Sequence, residues 1–90
     1  MANKKQLKST INNVCMELIS EAVAVNLYGG KQDFESVEAI ITAVLKIRND
    51  FVMRISHPEP GMPAKQYYRH LIGQFNEQAS EIIDQITNFN

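Results

Sequence analysis

The groups in this sequence that could do chemistry are few: one cysteine, two histidines and ten carboxylates among 90 residues. Cys15 would need a base to act as a nucleophile, because the thiolate is the reactive form. No histidine lies near it in sequence, and it falls at the edge of an apolar helical stripe, so a buried, inert thiol is expected. His57-Pro58-Glu59 has the His-x-Glu form in which the histidine ligates zinc and the glutamate moves protons. That chemistry also takes two cysteine ligands, and the chain has one cysteine. Metal sites inside helical bundles use Glu-x-x-His pairs, and neither His57 nor His70 has a glutamate three residues before it. Gly29-Gly30 is placed to close a helix, whereas a phosphate-binding loop opens one. These residues give no catalytic group, no metal ligand and no cofactor.

Two carboxylate pairs remain. Glu35-Ser36-Val37-Glu38 opens the second predicted helix, and Glu81-Ile82-Ile83-Asp84 lies near the end of the third. Antiparallel packing would bring both pairs to one end of the molecule. Pairs of this form resemble the Glu-x-x-Glu and Glu-x-x-Asp elements with which all-α nucleoside-triphosphate pyrophosphohydrolases hold Mg²⁺ through oxygen ligands. The resemblance covers those four residues and implies a Mg-dependent nucleotide hydrolase. Helical spacing, in contrast, points Glu81 and Asp84 away from the predicted core, which makes them part of an acidic, solvated face.

The elements that must position these groups are helices. Leu7, Ile11, Val14, Leu18, Ala22 and Val25 recur every three or four residues, which predicts a helix over 4–28. Gly29-Gly30 can take positive φ and stop it. Asp33 is a good N-cap for a second helix over 33–55, and Glu35 and Glu38 suit the positive end of its dipole. Its apolar face reads Phe34, Val37, Ile41, Val44, Leu45, Phe51, Val52 and Ile55. Pro58 and Pro60 disfavour helix in the residues before them and end it. A third helix over 63–88 takes Pro63 in its first turn and turns Tyr68, Leu71, Ile72, Phe75, Ala79, Ile82, Ile83 and Ile86 inward. Strand signals are absent. Short connectors make sequential helices antiparallel neighbours, so residues 1–90 form a single all-α domain, an up-down-up three-helix bundle.

Composition narrows the function classes. No run approaches the ~18 apolar residues needed to cross a membrane. The N-terminus begins like a signal peptide, but Glu17 and Glu21 break the apolar stretch that follows. A lone thiol fits a reducing compartment, so a cytoplasmic protein is expected. A net charge of −1 gives no bulk argument for nucleic acid. Three helices of this length nevertheless carry more apolar surface than they need. Met16, Ile19, Val23 and Leu27 form a second flank on the first helix, and Ile40 and Ile47, with Phe51 near the edge, form one on the second. Exposed contiguous apolar patches mark interfaces, and a ~90-residue monomer has a modest core; a homodimer burying these seven residues is expected.

Arg48 is out of place on the apolar face of the second helix. Its neighbours by level are Asn12, Asn13 and His70, none of them a carboxylate. It therefore either snorkels to water or meets an acceptor from a second subunit. The charges are also sorted by end. Lys4, Lys5, Lys8, Lys46, Arg48, Arg54, Lys65 and Arg69 gather in one half of the bundle with two acids, Asp50 and Glu59. Every other acid falls in the opposite half, with Lys31. An antiparallel dimer would lay the positive end of one subunit beside the negative end of its mate. The alternative is an anion-binding pole made by Lys4, Lys5, Lys8, Arg54, Lys65 and Arg69. Nucleic acid is the less favoured ligand, because aromatic interleaving and arginine density are missing. The sequence thus reads as a helical interaction or regulatory module, self-associating and not enzymatic.

Overall fold

The computed structural model describes residues 3–29 and 34–88. It contains three helices, α1 (Lys4–Tyr28), α2 (Phe34–Ser56) and α3 (Ala64–Thr87), packed up-down-up into a rod of 50 × 19 × 18 Å. No strand occurs among the described residues. The helix bounds agree with the sequence expectation to within one residue.

Each end has a local cause. Asn3 caps α1 reciprocally: its Oδ1 accepts from the Gln6 N–H at 2.8 Å, and the Gln6 side chain accepts from the Asn3 N–H at 3.3 Å. This capping box satisfies two N–H groups that the first turn leaves without helical partners. At the other end Gly29 stays right-handed (φ −84°), which corrects the expected positive-φ stop there; its N–H donates to Val25 O at 2.8 Å. Gly30, Lys31 and Asp33, the expected N-cap of α2, lie outside the described residues. Between α2 and α3 the chain turns at Gly61, whose φ of +87° suits a residue without Cβ. Pro63 is extended and just outside α3, so the helix starts one residue later than expected.

The core runs the length of the rod. α1 contributes Leu7, Ile11, Cys15, Leu18 and Ala22; α2 contributes Val37, Ile40, Val44, Phe51 and Ile55; α3 contributes Leu71, Phe75, Ala79, Ile82 and Ile86. Phe51 and Phe75 meet edge to face, ring centroids 5.4 Å apart, a preferred aromatic geometry.

Two expectations need correction. Ile40 and Phe51, assigned to a subunit interface, are 4% and 0% exposed inside the single chain, and Ile47 is half-buried against the same core. Leu45, assigned to the core, is 37% exposed, as Ile83 is at 51%. The cause is the breadth of apolar residues around α2, from Ile47 on one edge to Leu45 on the other. One helix cannot bury both edges in a three-helix rod. α3 docks on the Ile40–Ile47–Phe51 edge, as the Phe51–Phe75 contact shows, and the Leu45 edge stays outside.

Candidate functional site

The α2–α3 corner is where the polar side chains converge. The last carbonyls of a helix lack intrahelical donors, and here two tyrosines supply them. The Tyr67 hydroxyl donates to Arg54 O at 3.0 Å and the Tyr68 hydroxyl donates to Ile55 O at 3.2 Å. Tyr68, turned inward as expected, thus satisfies its hydroxyl on a main-chain carbonyl. Arg54 spends its own donors nearby: it pairs with Asp50 at 3.0 Å, donates to Gln74 Oε1 at 3.0 Å and lies 4.9 Å above the Phe51 ring. A hollow of about 610 Å³ lies over this corner, lined by Arg54, His57, Pro58, Glu59, Met62, Tyr67, His70 and Gln74 among others.

This corner belongs to the expected anion-binding pole. Lys4, Lys5, Lys65 and Arg69 are exposed at the same end of the rod and Lys8 is half-buried. Arg54 is the one of the six whose guanidinium is already engaged with protein groups. Its engagement leaves the hollow without a free, converging cation. No group of three or more His, Cys, Asp or Glu able to hold a metal occurs among the described residues. Glu35, Glu38, Glu81 and Asp84 are each exposed.

Cys15 is 1% exposed, and burial pushes its thiol pKa up against the opposing pull of the Arg48 charge. A nucleophilic cysteine needs the reverse balance. The same interaction locates Arg48: its edge of α2 faces α1, opposite the Arg54 edge that faces α3.

On α1 the residues facing α3 are Val14, Glu17, Leu18, Glu21 and Val25, which line a hollow of about 560 Å³ with Ile83, Ile86 and Thr87. Met16, Ile19, Val23 and Leu27 lie on the opposite flank, beside the Leu45 edge of α2. Met16 is 50%, Val23 36% and Leu27 53% exposed, with Ile19 half-buried against the core. Phe34 (64% exposed) and Leu45 continue this surface on α2, and Ile41 and Val52 fill it in as half-buried residues. Five of the eight large apolar side chains exposed among the described residues therefore share one side of the α1–α2 hairpin. Sequence reasoning found the α1 half of this surface. It missed Phe34, Ile41, Leu45 and Val52 because it had placed them inward.

No protein-family model, no curated protein and no solved structure matches the chain.

What the described residues bring together is an apolar surface on the α1–α2 side. No helix of the described residues is long and apolar enough to cross a membrane.

Proposed function

We propose that the chain is a small, non-catalytic interaction module that works as a homodimer, with its lone buried thiol suited to the reducing cytoplasm. The observation that carries this reading is the α1–α2 side, where Met16, Val23, Leu27, Phe34 and Leu45 stand exposed together. Isolated exposed aliphatics are ordinary, whereas a contiguous set signals an interface. One long side of a 50 × 19 × 18 Å rod is of the size that a stable dimer uses, ~800 Å² per partner. Covering it also adds to the limited core of a ~90-residue chain.

Light scattering over a concentration series tests the proposal. The expected mass is twice the 10.2 kDa of the chain, with a melting temperature that climbs with protein concentration, as mass action requires. A monomer at high micromolar concentration would remove it. The basic pole supports a second reading, a weak anion binder, through the exposed Lys4, Lys5, Lys65 and Arg69. Salt-sensitive retention on heparin without dimerisation would favour that reading.

A further inference from the structure

Resting on the homodimer reading, we infer that α2 packs antiparallel against α2 of a second copy, about a twofold axis level with Ala43, with Arg48 of each copy paired to the partner's Glu38. The outer edge of α2 reads Phe34, Glu38, Ile41, Leu45, Arg48, Val52. The intervals alternate between four and three, the 3.5-residue period that keeps one seam of a helix against another helix. The Ile47 edge, by contrast, is already occupied by α3.

This seam is self-complementary. In a twofold interface residue i meets j and j meets i. Reflection about Ala43 sets Phe34 on the partner's Val52, Ile41 on the partner's Leu45, and Glu38 on the partner's Arg48. Apolar meets apolar and acid meets base at every step. A parallel pair would instead set each arginine beside its own copy and each glutamate likewise. Sliding the antiparallel pair by one seam position puts Arg48 against the partner's Phe34 or Ile41, and Glu38 against the partner's Leu45 or Val52, and separates the charges. One register satisfies the whole seam.

Both charged members are available for it. Arg48 is half-buried, beside the thiol of Cys15, and has no hydrogen bond or ion pair to a described residue; Arg54–Asp50 is the ion pair found among them. Glu38 is exposed on the same edge. No side-chain nitrogen is buried without a partner among the described residues, so the Arg48 guanidinium reaches the surface of this edge, where a carboxylate is its strongest acceptor. Met16, Ile19 and Val23 of α1 lie on the same side of the hairpin and add apolar surface beside this seam. The axis is nearer the acidic end, so the Lys4–Lys5 end of each copy projects past its mate and does not lie along the opposite pole.

Charge reversal tests the pairing. Arg48→Glu and Glu38→Arg are each measured by sedimentation equilibrium alone, mixed in equal amounts, and combined in one chain, with helix content checked by circular dichroism. Each single reversal sets like charges together and is expected to weaken association at least tenfold. The mixture, a heterodimer with both pairs restored, and the double variant are expected to return to near wild-type affinity. Glu38 is exposed, so Glu38→Arg against wild type still decides the matter should Arg48→Glu fail to fold. Single variants that dimerise like wild type, or a mixture that stays monomeric, would overturn this register while leaving the homodimer intact. A wild-type monomer would overturn both.

Discussion

The two edges of α2 carry the same kinds of residue and meet different fates. On the edge toward α3, Arg54 has a carboxylate, an amide oxygen and an aromatic face, and the carbonyls of its last turn are bonded by Tyr67 and Tyr68. Aliphatic residues on that edge are buried or packed on the core. On the edge beside α1, Arg48 has no polar partner among the described residues, and Leu45 and Phe34 face outward. A chain that completes one edge within itself and leaves its mirror edge incomplete points to where a second chain belongs. No side-chain nitrogen or oxygen is buried without a partner among the described residues, so what separates the two edges is which of them another helix covers.

The largest effect should come from breaking the finished edge. Phe51 is 0% exposed, packs edge-on against Phe75 and supports the Arg54 guanidinium. Phe51→Ala is expected to cost about 3–5 kcal/mol, the range for aromatic truncation in a core, enough to unfold much of the population in urea titration. The outer edge should respond otherwise. Leu45→Glu places a charge at a position already 37% exposed, so the monomer fold is expected to persist. Association should weaken by about 2 kcal/mol, roughly thirtyfold, as for a central interface residue. Light scattering beside circular dichroism separates the two outcomes. A Leu45→Glu variant that melts with little helix left would show that both edges are core and abolish the contrast.

Much of the fold was legible in the sequence, for local reasons. Apolar spacing and the Gly29-Gly30 and Pro58–Pro60 breaks act within a few residues, and they set the three helices to within one residue. The rotation of α2 was not legible. Its apolar residues span too wide an arc for periodicity to say which edge is inside, and the choice between Phe51 and Leu45 is made by where α3 docks. That docking is a long-range event with no local signal. The partners of Tyr67 and Arg54 lie 13 and 20 residues away and were illegible for the same cause. Arg48 was the exception: its oddity, a charge on an apolar face, is a property of one helix alone. The Asn3–Gln6 box was readable in principle, as a capping residue followed three positions later by glutamine.

The smallest effect sharpens the comparison most. Asp50 and Arg54 are an i,i+4 pair with side chains 51% and 41% exposed, and the acid precedes the base, the better order along a helix. Exposed pairs of this kind contribute about 0.3–0.5 kcal/mol and are screened by salt. Asp50→Asn is therefore expected to lower stability by no more than that in urea titration, with the deficit vanishing in high salt and no change in oligomeric mass. Arg54 would keep Gln74 and the Phe51 ring, so losing one of three contacts on the finished edge stays a local event. If Asp50→Asn instead shifted the mass, the α3-facing corner would itself be part of the subunit contact, and the two edges of α2 would differ in degree and no longer in kind.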